Sequence, residues 1–106
     1  MLIRQALFEG QIHAGREQEF RAFVEERLIP MWKQFPGIRE LRVLFAIDRD
    51  EGAPSYPLTL TMAFDDEAAL ANALEAPIRF ESRGVTGELM TMFDGRIHHH
   101  VFEVVQ

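Results

Sequence analysis

The order in which hydrophobic periodicity changes along this chain constrains its fold more than any single residue does. Leu2 to Ile12 mixes apolar and polar residues in a two-residue rhythm and reads as a strand. Phe20, Phe23, Val24, Leu28, Met31, Trp32 and Phe35 then recur at helical spacing. Gly15 is the expected cap of that helix, with Glu17 and Glu19 set against the positive end of its dipole. Pro30 predicts a kink within it, and Pro36-Gly37 stops it. Alternation returns from Ile38 to Asp48, with Leu41, Val43, Phe45 and Ile47 opposite Glu40, Arg42, Leu44 and Ala46. After the loop RDEGAPSYP comes the cleanest strand, LTLTMAF. Asp65 or Asp66 caps a second helix over Glu67 to Ala76, ended or interrupted by Pro77. The stretch from Ile78 to Gly95 is irregular, with a short helical turn capped by Thr86. Asp94-Gly95 then opens a last strand over Ile97 to Val105.

Strand, helix, strand, strand, helix, strand is the βαββαβ, ferredoxin-like α+β pattern, and residues 1–106 make one such domain. It predicts a four-stranded antiparallel sheet with both helices on one face. The second face, expected to carry Leu7, Leu44, Ala46, Ala63, Ile97, Val101 and Val105, is left without cover inside the chain. An uncovered apolar face of that size marks an interface. The economical solution is a homodimer whose sheets face each other around a cavity.

Composition narrows the function classes. A net charge of −6 with scattered arginines excludes a phosphate-binding stripe for nucleic acid. No apolar run reaches the ~20 residues of a membrane span. The N-terminus lacks the pattern of a signal peptide. With no cysteine there is neither a disulfide framework nor a thiolate nucleophile or ligand, which fits a cytoplasmic protein. A phosphate-cradling glycine loop, a nucleophile elbow and a dinucleotide fingerprint are all missing.

Two segments resemble a known group. IPMWKQFPGI (Ile29 to Ile38) has a helix proline followed six residues later by Pro-Gly. EAPIRFESRGVTGELMTMFDG (Glu75 to Gly95) resembles the Ala-Pro-rich segment that runs to a Phe and a Gly before the last strand. Both are similar to the dimeric α+β barrel superfamily, and within it to the EthD-like family, named after an ethyl tert-butyl ether degradation protein. The resemblance implies a paired-sheet dimer. It also implies an activity among those of cofactor-independent oxygenases of aromatic polyketides, haem-degrading monooxygenases, lactone isomerases and cyclases. The family pattern commonly has a histidine two residues before the helix proline. Leu28 stands there, so no role of that imidazole carries over.

The triple histidine His98-His99-His100 supplies the candidate chemistry. Strand alternation puts His98 and His100 on one face and His99 with Ile97, Val101 and Glu103 on the other. Because Phe102 and Val104 are apolar, His98 and His100 are expected under the helices. His99 and Glu103 then face the barrel cavity, with Gln5, Glu9, Arg42, Thr59 and Thr61 opposite. In this reading His99 is a general acid or base and Arg42 stabilises an enolate or carboxylate. Gln5, Glu9, Thr59, Thr61, Glu103 and Trp32 contact a small apolar or aromatic ligand, and no cofactor is required. The competing reading has Arg42 paired with Glu40 or Glu103 and His99 capping a dimer contact, in a non-catalytic ligand-binding or accessory protein. A metal on His98 and His100, with His13, Asp94 or Glu9 as third ligand, is a weaker alternative, as is haem on one of the four histidines.

Overall fold

The computed structural model describes residues 1–106. Four strands, β1 (Leu2–Ile12), β2 (Glu40–Phe45), β3 (Leu58–Phe64) and β4 (Phe93–Glu103), form one antiparallel sheet in the order β2-β3-β1-β4. The ferredoxin-like expectation holds. No helix is long and apolar enough to cross a membrane.

The first helical segment is α1 (Glu17–Phe23), a π turn (Val24–Leu28) and α2 (Ile29–Trp32) in unbroken succession. Pro30 explains the π turn, since it cannot donate to the carbonyl four residues back and its ring crowds that carbonyl. The expected kink is thus a widened turn. Gly15 is not the cap; it takes φ +83° in the preceding turn, and Arg16 holds the cap position. In α3 (Glu67–Glu75) the Asp66 carboxylate accepts a hydrogen bond from the Ala69 N–H at 2.9 Å.

The main departure from the sequence reading follows Pro77. Ile78 to Leu89 is not irregular: α4 spans Pro77–Leu89, with Pro77 in the first turn, where its missing donor costs nothing. Gly84 and Gly87 hide the helix from a reading based on apolar periodicity.

All helices lie on one face of the sheet. Phe8, Phe20, Phe64, Leu28 and Leu58 are fully buried between the layers. Phe93 joins them, stacked on Phe20 at 5.8 Å and edge-on to Phe8 at 6.2 Å. Each such side chain contributes ~1.5–3 kcal/mol by leaving water. Asp94 and Gly95 lie inside β4 and do not form a turn. Gly95 sits directly across from Gly10 of β1.

The second face has no cover within the chain. Leu7, Leu44 and Ala63 are on it as expected, and Leu44 and Phe102 are about half exposed. Ile97 and Val101, expected there, lie on the helix side instead. Ala46 and Val105 fall outside the strands.

Candidate functional site

The register of β4 decides where the histidines point. His99 pairs with Ala6 and Ile97 pairs with Phe8, and both β1 partners are buried under the helices. Directly opposed residues of an antiparallel pair share a face. His99 is therefore on the helix-covered face, while His98 and His100 are on the open one, the reverse of the expected assignment. The misleading guides were Phe102, which is half exposed on the open face, and Val104, which lies beyond the strand.

Between the helices and the sheet is a cavity of about 420 Å³, within the range of small-molecule sites. Ala6, Phe8, Trp32, Phe35, Leu60, Met62, Met90 and Ile97 form its apolar wall. Into it project Arg4 from β1, Arg79, Ser82, Arg83 and Thr86 from α4, and His99 from β4. Helical spacing explains the α4 set, because positions 79, 82, 83 and 86 fall on one side of a helix. Ser82 and Thr86 are tied to their own helix, donating to the Arg79 and Ser82 carbonyls at 2.9 and 2.8 Å. Arg79 Nη1 donates to the Leu74 carbonyl at 3.1 Å, which fixes the guanidinium at the α3–α4 junction.

The field in this cavity is positive. Partial enclosure, then Arg4 and Arg79, with smaller effects of His98 and Arg83, push the His99 imidazole down to about 4. A ring held that low is neutral at physiological pH and keeps one nitrogen able to accept a proton. Burial, and next the nearby Arg79, lower Arg4 to about 10.

Of the residues expected to surround a ligand, His99 and Trp32 are brought together. The others are not. Gln5, Arg42, Thr59 and Thr61 are on the open face, where Gln5 is flanked by His100 and Thr61, and Thr61 by Arg42. Arg42 pairs with Glu40 on that face. Glu9 is also there, with Oε1 3.2 Å from His98 Nε2 and 3.3 Å from Arg96 Nη2. Glu103 shares the face of His99 but sits exposed at the strand end, outside the cavity lining. The sequence reading missed Arg4, Arg79, Arg83 and Thr86. The detectable signal was Pro77 as a helix start, followed by polar residues at helical spacing.

The metal candidates are dispersed. His98 and His100 stand with ring centroids 5.5 Å apart on the open face, and His13 is bound to Asp94 at 3.1 Å elsewhere. No three His, Asp or Glu side chains form a group that would hold an ion.

No family model matches the sequence, and no curated protein matches it. Solved structures do. A protein of the ethyl tert-butyl ether degradation (EthD) family from Bacillus halodurans superimposes with a TM-score of 0.74 at 17% identity, covering 99% of this chain and 100% of that one. SnoaB, a cofactor-independent oxygenase from Streptomyces nogalater, gives 0.67 at 18% identity, over 99% and 93% of the two chains. A dimeric ferredoxin-like protein of unknown function from Jannaschia gives 0.63 at 22% identity, over 97% and 98%. At these identities the likeness is one of fold: the chain has the ferredoxin-like α+β fold shared by EthD-type and oxygenase proteins.

Proposed function

We propose that this protein is a small-molecule enzyme that takes a proton from an apolar or aromatic substrate in the cavity between helices and sheet. The observation carrying this reading is the place of His99: its imidazole lies at the exposed rim of the cavity, beside the Arg4, Arg79 and Arg83 guanidiniums, whose charge disfavours its protonation. A substrate with an acidic C–H or phenol O–H gives its proton to the His99 lone pair. The developing enolate or phenolate is stabilised by the same arginines that keep the ring neutral beforehand. Once the anion forms, it offsets the guanidinium field, so His99 holds the proton more firmly than in the empty cavity. Removal of such a proton is a first step open to oxygenation, isomerisation and cyclisation alike. The shared fold with a cofactor-independent oxygenase supports the oxygenase branch.

The same reading makes the protein a homodimer through its open sheet faces. Leu7, Leu44 and Phe102 are supplied for that contact, and the Jannaschia protein of this fold is dimeric.

The common step is tested by deuterium exchange at the benzylic C1 position of 2-tetralone in D₂O under argon. The wild-type protein should accelerate exchange and His99→Gln should lose at least about tenfold of that acceleration, within the usual range for a general base. Oxygen uptake with anthrone, giving anthraquinone and water, then decides for or against the oxygenase branch. Exchange no faster than in buffer, with the aromatic still bound, assigns the cavity to non-catalytic ligand binding.

A further inference from the structure

We infer that the ligand of the cavity is an organic anion, an aromatic carboxylate whose charged end is held by Arg4, Arg79 and Arg83. This rests on the proposal that the cavity is the ligand site, and adds the charge of what occupies it.

The arginines of this chain fall into two sets. Arg16, Arg21, Arg27, Arg39, Arg42 and Arg96 each make an ion pair with a carboxylate. Arg4, Arg79 and Arg83 make none, and all three line the same cavity. The only other arginine without such a pair, Arg49, is in the loop between β2 and β3. In a chain with six more acidic than basic side chains, carboxylates for pairing are abundant. Their absence from this one place is a property of the site. Arg4 is also half-buried: its strand neighbours Met62 and Val101 are apolar, and Ala6 and Leu2 flank it on the same face. Glu103, two positions beyond Val101, makes no ion pair. A guanidinium withdrawn from water without a counter-charge is unfavourable unless something else supplies that charge.

Geometry then selects the chemistry of the anion. Guanidinium groups match a carboxylate through paired N–H donors. The Arg79 head is held in place by the Leu74 carbonyl. Trp32, Phe35, Leu60 and Met62 line the same cavity and suit an aromatic body. The cavity thus offers guanidinium groups and an apolar wall to the same ligand, with Arg4 directly beside Met62. His99, on the edge strand β4 opposite Ala6, lines the same cavity as these arginines.

The test compares 2-naphthoate with 2-naphthamide, which has the same shape and no charge, by calorimetry and Trp32 fluorescence on the intact protein. The naphthoate should bind at least about tenfold more tightly, equivalent to ~1.4 kcal/mol. Arg83→Met, at an exposed position on α4, should remove most of that preference, read as the ratio of naphthoate to naphthamide affinity in the same variant. Arg4→Met should do the same from the sheet side, with far-UV circular dichroism confirming the fold of both variants. Equal affinity for the two compounds, or a preference that survives both substitutions, overturns the anion inference and leaves the cavity as a neutral-ligand site. If neither compound binds, the cavity reading itself falls, and this inference with it.

Discussion

Ala6 and His99 sit directly opposite each other in the β1–β4 ladder. This pairing governs the chemistry available to the protein. Ala6 is buried beneath the helices, so His99 must be on that side too, and the small Ala6 side chain leaves room in front of the imidazole. A one-residue slip of β4 would have delivered His98 or His100 instead.

His99 should titrate far below an ordinary histidine. Its ¹H–¹³C signal in an NMR pH series is expected to have a midpoint near 4. Removing a positive neighbour favours the protonated ring, so Arg4→Met and Arg79→Met should each move the midpoint upward. A midpoint near 6.5 in the wild type would remove the electrostatic account of the cavity.

The same group predicts a pH dependence of stability. His99 has a folded-state value below its unfolded one, so between about pH 6.5 and 4 the unfolded chain binds more protons. Its contribution to stability is present above that window and is lost as pH falls through it. Thermal unfolding followed from pH 7 to 4.5 should show a downward slope in Tm that is shallower in His99→Gln. An unchanged slope in the variant would show that His99 is freely solvated when folded.

Gly10 and Gly95 form a cross-strand pair with φ of +143° and +153°. A Cβ at either position would meet the carbonyl oxygen of Asp94 or Glu9 at 2.0 Å. Gly95→Ala is therefore expected to cost about 2 kcal/mol or more, lowering Tm on the order of 10 °C. Calorimetry checks this. A shift below about 2 °C would mean that the strands separate there at little cost.

Self-association should depend on the open sheet face. Leu44 is about half exposed there, flanked by Thr59 across the ladder. Leu44→Asp places a charge on the proposed contact face, on edge strand β2, and should shift sedimentation equilibrium toward the monomer at micromolar concentration, with secondary structure intact. An unchanged dimer, or a wild type that is monomeric, would contradict the paired-sheet arrangement.

Much of this fold was legible in the sequence because its strands alternate cleanly. LTLTMAF became β3 over the same residues, and Asp66 caps α3 through the expected hydrogen bond. Two things were not legible, each for a physical reason. Alternation says which residues share a face but not which face the helices cover, so the choice made from Phe102 inverted the histidines. The other was α4, where Ser82, Gly84 and Gly87 thin out the apolar stripe of Ile78, Val85 and Leu89. Since α4 supplies Arg79, Ser82, Arg83 and Thr86, missing it meant missing four of the six polar lining residues. The residues grouped with His99 on the open face, Gln5, Arg42, Thr59 and Thr61, were correctly placed relative to one another, but on the opposite side from His99.

In the proposed function, ligand binds under the helices and not on the open sheet face. The most direct measurement is a map of chemical-shift changes on titrating ¹⁵N,¹³C-labelled protein with 2-naphthamide, an uncharged probe that the arginines do not attract by charge. The account predicts changes concentrated at the Trp32 indole, Thr86, Ile97 and His99. Changes concentrated at Leu44, Thr61, His98 and His100 would place the ligand between the sheets and contradict it.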